Sequence, residues 1–125
     1  MIDIEAVLIA WLEDNVEDVR ASNKTPSDLD DRLPWILVRR TGGPYDGFRI
    51  DRPTVDIETF AATSVAAADL ALHIQHLLHD RLVGAVASGA VFSRIETSVA
   101  PHWVPYDNPN RARYTASTRF AVHSA

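Results

Sequence analysis

The sequence predicts a single α+β domain in which two helices pack on one face of a mostly antiparallel sheet of four to five strands. Two observations lead to this prediction. Two stretches repeat apolar residues with the 3.6-residue period of a helix, and several others alternate apolar and polar residues with the period of two typical of strands. The elements follow in the order α-β-β-β-α-β-β, which suggests helices gathered on one side of a sheet.

The first helix is predicted from the N-cap residue Asp3 to about Asn15, where acidic residues oppose the helix dipole. Its apolar stripe consists of Ile4, Val7, Leu8, Trp11 and Leu12. A short strand around residues 19–21 follows, and then a solvated loop over residues 23–33, which carries a proline and several aspartates.

The next two strands differ in their patterns. Residues 35–38 form a continuous apolar run, which predicts a central strand covered on both faces. A break at Gly42 and Gly43 indicates a turn that leads into a long hairpin loop. From residue 54 to 60 apolar and acidic residues alternate, so we expect a half-buried strand with Asp56 and Glu58 on one side.

A second helix is predicted from Thr63 or Ser64 as N-cap to about Val83, with Gly84 as its stop. Its apolar stripe consists of Ala67, Leu70, Ala71, Ile74, Leu77, Leu78 and Leu82. Residues 91–99 and 112–122 alternate with period two and predict the last two strands.

Composition narrows the class of protein. The chain of 125 residues is 46% hydrophobic and 23% charged, which is ordinary for one globular domain. It contains no cysteine, so disulfides, thiolate catalysis and cysteine-type zinc sites are excluded. A net charge of -5 argues against a surface that neutralises phosphates. No apolar run approaches the roughly 20 residues that span a bilayer, and the acidic start MIDIEA differs from a basic secretory signal. We expect a cytosolic chain without a membrane partner.

Three groups of residues invite a chemical interpretation. His73, His76 and Asp80 share one face of the second helix and could bind a metal, but a solvated face with weak pairs explains them better, since no second ligand cluster is visible. Gly42-Gly43 lacks the following Lys-Ser/Thr of a phosphate loop. The Asp56 and Glu58 pair fits a wet or subunit-facing side of the sheet better than an acid/base pair. We therefore expect no metal, no cofactor and no catalytic residue.

The segment PHWVPYDNPNRARY, residues 101–114, is the most unusual part of the chain. Its prolines favour a stiff extended loop, and tryptophan, tyrosine and arginine are enriched at protein interfaces. One interpretation is an ordered interface loop with Arg111 and Arg113 at its exposed rim. The other is that Trp103 and Tyr106 plug the open end of the core. Physical reasoning alone does not separate the two.

Three stretches together resemble a known family. They are RLPWILVRRTGGPYD, then RPTVDIETFA before an alanine-rich helix, and APHWVPYDNPNRARYTAS before the last strand. They are similar to the tail terminator proteins of siphophages that infect actinobacteria, and the resemblance covers nearly the whole chain. The stretch around residues 103–114 is its most specific part. None of the three is a catalytic signature.

The resemblance implies a structural virion protein at the head-tail junction, made in the host cytoplasm. It would form a ring, expected to be hexameric, that ends growth of the tail tube and joins the tail to the head. Its partners would be further copies, the tail tube protein and a head-completion or neck adaptor protein, with genomic DNA passing through the channel without specific binding. The candidate interface residues are Arg39, Arg40, Tyr45, Trp103, Tyr106, Asp107, Asn108, Arg111 and Arg113.

Two other classes of protein remain open. The nearer is another phage neck protein, such as a head-completion or minor tail protein. The more distant is a small cytosolic α+β enzyme or ligand-binding domain. Location in a virion separates the three.

Overall fold

The chain forms two helices and six strands within residues 2–47, 49–105, 108 and 110–125, which a computed structural model describes. The helices are α1 (Ile4–Asn15) and α2 (Ser64–Leu77), and α2 continues into a π-helical turn, Leu78–Leu82. The strands are β1 (Arg20–Ser22), β2 (Trp35–Gly42), β3 (Thr54–Ala61), β4 (Val86–Ala87), β5 (Ala90–Val104) and β6 (Ala112–Ser124). The α+β class predicted from the sequence is confirmed.

The sheet differs from the predicted one in strand number and order. It has six strands in the order β1-β2-β3-β6-β5-β4, and β1 runs parallel to β2 while the other neighbours are antiparallel. The prediction of four to five strands in the order α-β-β-β-α-β-β was therefore wrong. The missed strand is β4, which has only two residues and cannot show an alternating pattern. A tight turn at Ser88 and Gly89, both with positive φ, joins it to β5.

The helix boundaries follow the predicted capping residues. The Asp3 carboxylate accepts a hydrogen bond from the Ala6 N–H at 3.2 Å, and the Thr63 hydroxyl accepts one from the Ala66 N–H at 3.2 Å. Each bond satisfies one of the free N–H groups in the first turn of its helix. The first helix ends at Asn15, as its acidic end predicted.

Both helices contribute to one buried cluster with alternate residues of the central strands. Its members include Leu8 and Leu12 of α1, Ile74 of α2, and Ile36, Val38, Val55, Ile57, Phe120 and Val122 of the sheet. The rings of Phe92 and Phe120 meet edge to face at 5.7 Å between centroids. Because successive side chains of a strand point to opposite faces, the remaining residues of these strands lie on the other face of the sheet.

Among the described residues, the opposite face of the sheet carries one buried cluster, at one end. A 3-10 turn, Leu29–Asp31, places Leu29 in a second cluster with Trp35, Leu37 and Phe60. The prediction of a fully solvated loop over residues 23–33 is therefore wrong at Leu29. Because this cluster covers one side of β2 and the main cluster covers the other, the prediction that the apolar run is covered on both faces is confirmed.

The last two strands are longer than predicted and form the largest hairpin of the domain. β5 extends to Val104, beyond the predicted end at residue 99, and includes Pro101. β4 pairs only with Ala90 and Val91, so the rest of β5 is an edge of the sheet, where a proline is tolerated because it has no N–H to donate. Residues 101–104 are therefore strand and not loop.

Candidate assembly interface

Trp103 lies at the end of the β5–β6 hairpin with 55% of its surface exposed. It is paired with Tyr114 of β6, which is paired with Thr59 of β3, which in turn is paired with Ile36 of β2. These directly opposed residues share one face of the sheet. Ile36 and Thr59 are fully buried and Tyr114 is half-buried, so burial decreases along this row towards β5.

The position of α2 explains the exposure of Trp103. The Thr59 hydroxyl donates a hydrogen bond to the Ala67 carbonyl oxygen at 2.9 Å, so the start of α2 passes directly over β3. Further along, Gln75 of α2 reaches Thr97 of β5 at 2.6 Å. The helix thus crosses β5 away from Trp103. In the isolated chain Trp103 is not a core plug, and the interface interpretation is the one that its exposure supports.

The loop after β5 is held to the 3-10 turn by polar contacts. The Arg111 guanidinium donates to the Asp30 carboxylate at 2.9 Å, and the Asn108 side-chain amide donates to the same carboxylate at 3.1 Å. Only 14% of the Arg111 side chain is exposed. The expectation of an exposed rim is therefore wrong for Arg111, because this ion pair buries its guanidinium within the chain. The ion pair holds the loop at the end of the hairpin in place, and it thereby helps to order the adjoining end of β5, which carries Trp103.

The other candidates in this segment are Arg113, Tyr106 and Asp107. Arg113 is half-buried in β6, and its guanidinium lies 3.5 Å from the Pro105 carbonyl oxygen, to which it donates. Tyr106 and Asp107 lie outside the described residues. At the end of the hairpin an exposed tryptophan thus lies next to a loop that the contacts of Asn108 and Arg111 with Asp30 hold in place.

Arg39 belongs to the polar, uncovered face of the sheet. Its side chain is about half exposed, and its guanidinium lies 3.5 Å from the Glu58 carboxylate. On the same face the Asp56 carboxylate accepts a hydrogen bond from the Ser117 hydroxyl at 2.6 Å. Asp56 and Glu58 thus lie on one side of β3, as predicted, and both contact neighbouring strands. The expectation of a wet side is wrong for Glu58, which is only 8% exposed because Arg39 and Thr115 pack against its carboxylate. Arg39 remains accessible to a partner.

Arg40 connects three parts of the chain. Its guanidinium donates to both oxygens of the Asp51 carboxylate, at 2.6 and 2.8 Å, and to the carbonyl oxygens of Gly42 and Gly43. Its backbone N–H donates to the Glu5 carboxylate at 2.8 Å. We call this arrangement the Arg40–Asp51 clamp. The guanidinium is engaged within the chain, so the main contribution of Arg40 is to hold the loop between β2 and β3.

The clamp also fixes that loop against β6. Asp51 exchanges two backbone hydrogen bonds with Val122, each of 2.9 Å, and forms an isolated bridge with the half-buried Tyr45. Gly43 lies so close to this segment that a Cβ there would collide with the Arg52 carbonyl oxygen. The close backbone contact is made by Gly43 alone, because Gly42 is the last residue of β2 and a Cβ there would meet no atom within 4 Å.

The histidines of α2 are surface residues. His73, His76 and Asp80 are all exposed, and within the described part of the chain no group of three His, Asp or Glu side chains is arranged to bind a metal ion. His79, which the sequence did not single out, lies 2.7 Å from the Thr97 hydroxyl. Thr97 also donates to Gln75, which reaches the buried Thr118 at 3.3 Å, so this chain of contacts attaches α2 to β5 and β6.

Comparisons with known proteins add no family assignment. No protein-family model matches the chain, and a search of curated proteins finds no match. In the part of the chain that the structure describes, none of the helices has the length and apolar character needed to cross a bilayer.

Proposed function

We propose that this protein is a structural subunit of a phage virion. It forms a ring at the head-proximal end of the tail tube, stops further polymerisation of the tube and joins the tail to the head. The observation that carries the proposal is the exposed Trp103 at the end of the long β5–β6 hairpin, within the stretch that most resembles tail terminators. The proposed role is recognition without catalysis.

The physical properties of the hairpin support this role. A large aromatic side chain on a strand loses little conformational entropy on binding, because its backbone is already ordered. Tryptophan is enriched among the few residues that contribute most of the binding energy of a protein interface. Asp30, Asn108 and Arg111 hold the adjoining loop in place. The hairpin therefore presents an anchor that is ordered before a partner arrives.

The proposed assembly is a hexamer of this chain. One side of the ring contacts the last ring of tail tube protein, and the other contacts a head-completion or neck adaptor protein. A cyclic ring needs two different surfaces on each subunit, and the polar sheet face and the hairpin end are distinct surfaces. Genomic DNA passes through the channel without specific binding, which suits a chain with a net charge of -5.

Mass spectrometry and electron microscopy of purified virions test the proposal. The expected result is a ring of this chain between the tube and the head. Its presence in the neck on the head side of another ring would favour a head-completion protein instead. Mature particles that lack the chain but have a normal junction would exclude both neck functions.

A further inference from the structure

Three arginines line one cleft of the molecule without strong partners of their own. Arg52, Arg94 and Arg119 lie around it, together with Glu96 and the apolar surfaces of Pro44 and Phe120. Within the described residues neither Arg52 nor Arg119 makes an ion pair, and the Arg94 guanidinium lies 3.8 Å from Glu96 with both side chains exposed. We call this surface the arginine cleft. It is a concave cationic surface on a chain whose net charge is -5.

Another segment of the same chain has an excess of negative charge. Residues 13–18, with the sequence EDNVED, contain four carboxylates and no basic residue. Asp14, Glu17 and Asp18 are exposed, and in the described part of the chain none of them makes an ion pair. We call residues 13–18 the acidic turn.

Arg20 and Arg81 line the same concave surface as the acidic turn, but among the described residues neither forms an ion pair with its carboxylates. Residues 13–15 of the acidic turn belong to the last turn of α1, which has no basic residue, and carboxylates at a helix C-terminus are disfavoured by the helix dipole. One member, Glu13, is satisfied, because it accepts a hydrogen bond from the Ala21 N–H at 3.2 Å. A cationic partner would relieve the others. The arginine cleft supplies cations whose planar guanidinium groups match carboxylate geometry.

We propose that the arginine cleft of one copy binds the acidic turn of a second copy. The contact is heterologous, since it joins two different surfaces, and repeated contacts of this kind close into a ring or continue as a filament. Only the expectation that the copies close into a ring rests on the proposed function. The charge complementarity itself would hold in any head-to-tail assembly. The occupant is a copy of this chain and not DNA, since a chain with a net charge of -5 repels phosphates as a whole and carries exposed carboxylates that match the cleft.

Charge reversal and charge exchange test this contact. Self-association of the full chain is measured by sedimentation at high protein concentration, at about 0.01 M ionic strength, where the Debye length is about 30 Å, and at about 1 M, where it is about 3 Å. We expect association at low salt that is lost at high salt. Arg119→Glu or Glu17→Arg alone should weaken it by at least about tenfold, and the double variant should recover most of the loss.

The experiment has a matched control and three outcomes that would contradict the proposal. Lys24→Glu makes the same change of charge at an exposed residue outside both surfaces and should not weaken association. A chain that stays monomeric at low salt, or an Arg119→Glu variant that associates normally, overturns the proposal. So does an Arg119→Glu variant that loses binding to a DNA duplex and keeps self-association. If virions lack the protein while charge exchange still restores association, the proposed function fails and this contact stands.

Discussion

Trp103 and Trp35 show how differently one residue type is used in this chain. Trp103 is 55% exposed at the end of β5, whereas Trp35 is 7% exposed between the sheet and the 3-10 turn. The Trp35 indole N–H donates to the Ser22 hydroxyl at 2.9 Å, and the Arg32 guanidinium lies 6.0 Å from the centroid of its ring. The same Arg32 guanidinium, by hydrogen bonding to Asp28, lowers the pKa of that carboxyl group. One tryptophan is part of the fold, and the other is available for binding.

Substitution of the two tryptophans should separate folding from assembly. Trp103→Ala removes a side chain that is 55% exposed and paired with Tyr114, so we expect the free energy of unfolding to fall by only about 1 kcal/mol. Head-tail joining in an assembly assay should be lost. Trp35→Ala is the matched control and should destabilise the fold by about 3–5 kcal/mol. A Trp103→Ala variant that joins heads to tails normally would show that this hairpin is not the interface.

Arg111 belongs with Trp35 as a residue of the fold. Its hydrogen bond to the Asp30 carboxylate is charge-assisted and mostly shielded from solvent. Arg111→Ala should therefore lower the free energy of unfolding by about 1.5 kcal/mol, as judged by chemical denaturation. Lys24→Ala, at an exposed cation, should change it by no more than about 0.5 kcal/mol. Equal effects of the two substitutions would mean that the Arg111–Asp30 pair contributes nothing to stability.

Among the larger elements, the loop between β2 and β3 depends on the Arg40–Asp51 clamp. Asp51 is 2% exposed, so Arg40→Met leaves a buried carboxylate without its cation. We expect a loss of about 3–5 kcal/mol in the free energy of unfolding, because an uncompensated buried charge is costly.

A double-mutant cycle measures the clamp itself. Asp51→Asn removes the charge, so the double variant Arg40→Met with Asp51→Asn should be destabilised by less than the two single effects combined. Thermal or denaturant unfolding of the four proteins gives the coupling energy. Additive effects would indicate that Arg40 and Asp51 contribute independently and that the clamp is not a unit.

The sequence predicted those elements that its local patterns encode. Capping residues marked the starts of α1 and α2, and period-two alternation located β3 and β6. Two parts were not predictable in this way. β4 is too short to carry a pattern, and β5 continues through a proline because its outer edge is unpaired. Whether an element lies at an edge depends on pairing between distant segments.

The candidate interface likewise has features that the sequence predicted and features that depend on distant contacts. The sequence identified Trp103 and Arg111 as unusual, but it could not show that Asp30, 81 residues from Arg111 in the chain, fixes the arginine. Likewise, Asp51 carries no local signal for its pairing with Arg40. The exposure of Trp103 depends on where α2 crosses the sheet, which no pattern within residues 101–114 encodes.

For the whole molecule, deletion of the protein should affect assembly and not genome packaging. We expect full heads without attached tails, together with tails of irregular or excessive length, because a tube without a terminator continues to grow. Electron microscopy of lysates from an infection with the deletion phage measures both. Restoration by a supplied wild-type chain is the control. Attached tails of normal length in the absence of the protein would contradict the proposed function.

The position of β6 has a consequence for how the chain reaches its native state. β6 is the last strand in the sequence, yet it lies between β3 and β5 and joins the two halves of the sheet. Its pairing with β3 links Thr54 to Arg119, so the central ladder closes a long loop of chain. Pairings of such high sequence separation slow folding, because loop entropy is lost before the contacts form. Until β6 is in place, β3 and β5 each expose an open edge, and such edges are templates for aggregation. Chains that end before residue 112 should therefore aggregate, and intact chains become competent for assembly only in a late step of folding.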